Sequence, residues 1–188
     1  MISLMEIIDM AIMTLFVGYI FSDVFTRFTD YSGDVLGFRR PGLDLEAFKF
    51  AALVTAPGLI LHELSHKFIA LGFGMQATFH AAYAWLIFGL ILKLVNFGFI
   101  VFVPAFVSIT GTGNPLQFSV IAFAGPAMNL SLWLGTGFAM KKNLIAKKHL
   151  KLAFLTKEIN KFLFIFNMIP FPGFDGYQVF SGLLKTIL

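Results

Sequence analysis

The chain has no cysteine, which excludes disulfides and thiolate metal sites and leaves the redox compartment undetermined. Charge is scarce as well: Asp, Glu, Lys and Arg make up 13% of the 188 residues, against about a quarter in a soluble domain. No basic segment precedes the first apolar run and no clear small-residue cleavage site follows it. The N-terminus therefore reads as a membrane segment rather than a removed signal. There is no internal repeat and no low-complexity stretch. What is abundant is apolar surface, with 58% hydrophobic residues, 25 of them Phe, and a mean hydropathy of +0.85. One aqueous core in a chain of this length could not hide so much, so the expected setting is a lipid bilayer.

The positive charge is clustered. Lys141, Lys142, Lys147, Lys148 and Lys151 stand together with no acid among them. Between two apolar runs this pattern reads as a cytoplasmic loop under the positive-inside rule, not as a nucleic-acid patch, and no nucleic-acid partner is expected. The apolar runs suggest membrane spans at roughly 10–21, 50–73, 84–107, 116–140 and 162–184. Residues 23–49 are polar, with a turn at Pro41-Gly42, and read as a loop or a surface helix. Gln76, Thr78 and His80 alternate with Ala77, Phe79 and Ala81, which is the period of a strand. The expected fold is an all-α integral membrane protein. It would be a single domain over 1–188, a polytopic bundle of four to six membrane segments with a short extended, β-like piece.

Inside the second run lies His62-Glu63-Leu64-Ser65-His66. Four helical residues at about 100° each bring His66 back over His62, so both imidazoles can bind one ion. Glu63 sits beside that face, where a carboxylate can take a proton from a water the ion activates. Ionisable groups at the centre of a span cost about 2.5–3.5 kcal/mol each on insertion scales, so they tend to mark function. A catalytic zinc takes three protein ligands and leaves a fourth position open. The candidates for the third are Asp175, Glu158, His80 and His149. Glu158 stands between Lys157 and Lys161, His80 is on the strand-like stretch and His149 is in the lysine loop. Depth selects Asp175, which is near the middle of a run broken by Pro170, Pro172, Gly173 and Gly176. Two asparagines, Asn129 and Asn167, also fall at membrane depth. Either can bond across helices, and Asn129 can instead donate to the oxyanion of a tetrahedral intermediate.

Three blocks, in order, resemble the site-2 protease family of intramembrane zinc metalloproteases. They are His62–His66 with Ala70 following, Gly125-Pro126 followed by Asn129, and the N-x-x-P-x-P-x-x-D-G pattern from Asn167 to Gly176. The resemblance implies Zn2+ held by His62, His66 and Asp175, with Glu63 as general base. It also implies hydrolysis of a peptide bond in a partly unwound transmembrane substrate. Extended residues between the first two blocks, 77–81 and 99–107, would offer that substrate an edge by strand addition. The chain departs from the pattern at Phe174, where Leu is usual, and at Gly173, where Pro is often found. It is similar to the minimal, archaeal-like members, and no PDZ domain is expected. The expected partners are a transmembrane protein or peptide and the bilayer; the sequence does not show the oligomeric state. A metal binder or transporter would use the same histidines without needing Glu63. A serine type would show a G-x-S-G-like loop, which is absent, and an aspartyl type would need a second aspartate at depth.

Overall fold

Ser3 and Glu6 start the first helix. The Glu6 amide donates to Ser3 Oγ (3.3 Å), and the Ser3 amide donates to the Glu6 carboxylate (2.7 Å). This is a capping box, which satisfies two of the amides every helix start leaves open. Helix α1 runs from there over Leu4–Thr29 in a computed structural model that describes residues 2–29, 44–97 and 103–188. The hydropathy pattern starts this span at residue 10, because Glu6 and Asp9 look like a polar flank. Both are in fact helical and buried. Asp44 caps the next helix, α2 (Leu45–Gly72), by accepting from the amides of Glu46 and Ala47, each at 3.0 Å. The Pro41-Gly42 turn and most of the polar stretch lie outside the described residues.

Strand β1 (Gln76–Ala81) buries alternate residues, as its sequence period predicts. The apolar run at 84–107 is not one span. Helix α3 covers Tyr83–Leu94, and strand β2 covers Ala105–Thr110. Asn96, in the left-handed region at φ 52°, follows the end of α3. The two strands pair in a two-stranded sheet. Part of the stretch 99–107 lies outside the described residues. Helix α4 (Pro115–Lys141) opens on a second capping box, Asn114 with Gln117, and has Pro at its first position. The run at 162–184 is likewise two elements, α5 (Leu150–Asn167) and α6 (Asp175–Ile187), parted by the proline-rich turn. A 3-10 turn at Lys147–His149 precedes α5.

Among the described residues, α1, α2 and α4 are long and apolar enough to cross a membrane, and α3 is a shorter apolar helix. The protein is a helical membrane protein with one small sheet. Its contacts divide the chain into two compact units, and the boundary falls inside α2 at Pro57. A proline there has no N–H to offer the carbonyl of Leu53.

The first unit is Met1–Ala56 with Ala81–Pro104. Here α1 packs against α3. Gly18 lets α1 and the start of α2 approach, since a Cβ added there would fall 2.9 Å from Ala52 Cβ. Charges that would be costly in lipid have partners. Lys93 donates to the Tyr19 carbonyl and to Ser22 Oγ (2.7 Å), and lies 3.5 Å from the Asp23 carboxylate. The Tyr83 hydroxyl donates to Asp9.

The second unit is Pro57–His80 with Ala105–Leu188. Helix α4 is its centre and packs against both α5 and α6. Ser119 on α4 donates to the Val179 carbonyl of α6 at 3.1 Å. The sheet packs beside α2 and α4 through Met75, Ala77, Ala70 and Ile121. Lys67, almost wholly buried, donates to the Ala77 carbonyl (2.9 Å) and ties β1 to α2.

Candidate metal centre

Helical spacing builds two facing stripes. On α2, Gly58, His62 and His66 recur every four residues; on α4, Ile121, Gly125 and Asn129 do the same. The contacts run in opposite order along the two. Gly58 meets Asn129, His62 meets Asn129 and Gly125, and His66 meets Gly125 and Ile121. The two helices are therefore antiparallel at the site.

Each imidazole is oriented by its far nitrogen. His62 Nδ1 donates to Asn129 Oδ1 at 2.5 Å, and His66 Nδ1 donates to the Ile121 carbonyl at 2.7 Å. Neither oxygen can donate in return, so both rings carry the proton on Nδ1 and turn a lone pair on Nε2 inward. The two Nε2 atoms lie 3.1 Å apart. Asp175 Oδ2 is 3.0 Å from His62 Nε2 and 3.4 Å from His66 Nε2.

This triangle fits zinc. Bonds of about 2.0–2.1 Å in a tetrahedron place donor atoms roughly 3.3 Å apart, and all three edges fall within a few tenths of that. Three lone pairs turned on one another at such distances repel unless a metal ion or a proton stands among them. The space is also kept clear. A Cβ on Gly125 would lie 2.5 Å from His62 Nε2 and closer still to His66 Nε2. Both histidines are buried and Asp175 is partly so. Among the described residues these three form the one group of His, Asp and Glu side chains able to hold a metal ion.

The proline-rich turn delivers Asp175. Gly173 has φ 102°, in the region that favours glycine, and a Pro at that position, with φ fixed near −65°, could not adopt it. Phe174, extended at φ −105° and ψ 156°, then caps α6, and its ring meets Phe166 of α5 edge-on at 4.7 Å. Asp175 is the first residue of the helix, where the positive end of the dipole favours a carboxylate. Gly176 packs against the end of α5, since a Cβ there would fall 2.5 Å from the Met168 carbonyl carbon. Gly176→Ala is expected to destabilise the protein by about 1–3 kcal/mol by overpacking. Because it would push Asp175 off the triangle, it should also weaken zinc binding. Denaturant unfolding and zinc titration of the purified variant measure the two effects.

Glu63, next to His62, lies within electrostatic reach of His62, His66 and Asp175 without belonging to the triangle. The other ligand candidates are elsewhere. Glu158 pairs with Lys157 at 2.8 Å, the His80 ring faces Phe106 on β2, and His149 is in the 3-10 turn. Asn129 stands behind His62, bonded to the ring nitrogen that points away from Asp175 and His66, where an oxyanion donor is not needed. Both hydrogens of its amide are taken, by the Gly58 carbonyl (3.2 Å) and Asn160 Oδ1 (2.9 Å). Asn167 turns its amide back to the Leu163 carbonyl, 3.0 Å away. Gly125, named in the sequence only as part of the second resembling block, supplies the gap, and Asn160 behind Asn129 is a contributor that the sequence analysis does not single out. Asn160 stands two turns before Asn167 on the same helix, but among Lys157, Glu158 and Lys161 it reads as part of a polar face.

A protein of Methanocaldococcus jannaschii named "Putative zinc metalloprotease" is 34% identical over 178 residues, covering 93% of this chain and 82% of its own length. No family model matches the chain, and no solved structure matches it.

Proposed function

Since the chain belongs to the zinc metalloprotease family of its Methanocaldococcus jannaschii relative, we propose that it is an intramembrane protease of the site-2 type. Its cofactor is Zn2+, and His62, His66 and Asp175 can form the site. On this reading it hydrolyses a peptide bond within a transmembrane segment of a membrane-protein substrate. One observation carries the proposal: the two histidine ligands, with Glu63 beside them, lie on α2 and are held from behind by α4, and both helices are long and apolar enough to span a membrane. A protease that cut only soluble peptides would have no reason to place its ligands there.

Zinc, when bound, polarises the scissile carbonyl and acidifies the attacking water. The protein does the rest. Asp175 and the two histidines fix where that chemistry occurs, and Asn129 and the Ile121 carbonyl hold the rings in register. Glu63 accepts a proton as the water oxygen attacks the carbonyl carbon. It then gives that proton to the amide nitrogen as the C–N bond breaks. The substrate must be extended to present its carbonyl, and an edge of the β1–β2 sheet offers it backbone partners. The lysine loop after α4 faces the cytoplasm in this scheme.

The test uses the full chain in liposomes with a membrane protein that carries one transmembrane segment. The expected result is cleavage inside that segment, located by mass spectrometry, abolished by a zinc chelator and by Asp175→Ala, and restored by zinc only in the wild type. Cuts confined to the soluble flanks would overturn the intramembrane reading and leave a membrane metalloprotease of another kind.

A further inference from the structure

Behind the metal centre runs a chain of amides in which every donor points the same way. His62 Nδ1 donates to Asn129 Oδ1 (2.5 Å), Asn129 Nδ2 to Asn160 Oδ1 (2.9 Å), and Asn160 Nδ2 to the Thr156 carbonyl (2.8 Å). Asn129 and Asn160 are both wholly buried. The second hydrogen of Asn129 goes to the Gly58 carbonyl (3.2 Å). Gly58 in turn leaves room for Asn160, whose Oδ1 would lie 2.8 Å from a Cβ added there.

From this arrangement we infer that Asn160, which is none of the three ligand residues, is a positioning residue that fixes which nitrogen of His62 faces the metal. The inference rests on the metal site of the reading above. An amide can be turned over, exchanging its donor and acceptor ends. If Asn129 turned over, its NH2 would meet His62 Nδ1 and force that nitrogen to accept. The ring proton would move to Nε2, the atom that faces His66 and Asp175, and the lone pair for zinc would be lost.

What forbids the turn is acceptors that cannot change role. The Gly58 carbonyl is one. Asn160 Oδ1 is the other, and it is held in place because the opposite end of the same amide must donate to the Thr156 carbonyl. The direction of the chain is thus set by two backbone carbonyls, one on α2 and one on α5. In a dry interior each reversed bond would leave a buried polar group unpaired, so the amides stand or fall together. Bonds that run in one direction also polarise one another and make His62 Nε2 a better donor.

The experiment measures zinc affinity of the full chain in detergent, by competition with a chromophoric chelator, for wild type, N160L, N129L, the double variant and N160D. Partners behind a metal-bound histidine are commonly worth 10–100-fold in affinity. N160L is expected to weaken zinc binding by about tenfold and N129L by up to about 100-fold. The double variant should match N129L within about twofold, because once Asn129 is gone Asn160 has nothing to hold. N160D should recover to within about threefold of wild type. Its carboxyl, protonated in that setting, accepts from Asn129 and donates to the Thr156 carbonyl.

A merely structural asparagine would give losses that multiply in the double variant and no rescue by aspartate, and either result overturns the inference. If N160L does not keep wild-type helix content, N160A, which overpacks nothing, takes its place in the same comparison. A wild type that binds zinc beside an N160L that binds it equally well overturns the relay alone. A wild type that binds no zinc overturns the metal site and the relay with it.

Discussion

Glu63→Gln is expected to keep about one zinc per chain, as a three-ligand site requires, while cleaving about 10²–10⁴-fold more slowly, the usual range for loss of a positioned general base. The two halves of this result come from different atoms. The ligand triangle is complete without Glu63, because His62, His66 and Asp175 supply three donors at the spacing of a tetrahedral edge. Glutamine matches glutamate in size, so α2 and its histidines should not move. It cannot, however, take a proton from water or pass one to the leaving nitrogen. Elemental analysis and a cleavage rate on the same preparation check both halves. Retention of zinc with retained cleavage would remove Glu63 from the mechanism. Loss of zinc would make it a ligand. A metal carrier built on the same histidines would have no step for Glu63, and its metal movement would survive the change.

The histidine pair was legible because a helix has a fixed period. His62 and His66 share a face in any α-helix, whatever packs against it. Asp175 was legible through depth, as a carboxylate in the middle of an apolar run. The ends of α4 were read within a residue, 116–140 against Pro115–Lys141, since Pro115 opens it and lysines close it. Other boundaries failed for physical reasons. Glu6 looks like a flank to a hydropathy count, yet its carboxylate caps the helix it was taken to precede. Runs 84–107 and 162–184 are continuous in hydropathy but not in backbone, because a strand and a proline turn can be as apolar as a helix. For Asn129 the sequence leaves two readings open, and the structure shows the bonding across helices, to His62, Gly58 and Asn160. Which groups an amide bonds depends on the register of α2, α4 and α5, and one sequence does not state how its helices align. Asn160 was missed on the same ground, since its partner Asn129 is thirty-one residues away.

Gly125→Ala should abolish zinc binding at a cost of a few kcal/mol in folding, and the reason is where one methyl would go. It would stand 2.5 Å from His62 Nε2, 2.7 Å from His62 Cδ2, and closer still to His66 Nε2. A flexible side chain could yield to it, but these rings are pinned from behind by Asn129 and the Ile121 carbonyl. To make room, both would have to give up buried hydrogen bonds, and the methyl would still crowd the Nε2 atoms that bind the ion. For the fold, two terms oppose. Overpacking costs about 1–3 kcal/mol, and alanine is favoured over glycine within a helix by about 1 kcal/mol. These two terms leave a net loss below about 2 kcal/mol, and the hydrogen bonds the two rings give up would add about 0.5–1.5 kcal/mol each. Gly135, on the same helix, supplies the control, for a Cβ there meets nothing within 4 Å. Gly135→Ala should leave zinc untouched and raise stability by about 0.5–1 kcal/mol. Zinc titration and chelator-treated unfolding of the two variants separate the roles. If Gly125→Ala still binds zinc like wild type, the ion does not sit where the three donors converge, and the triangle is a hydrogen-bonded cluster instead of a metal centre.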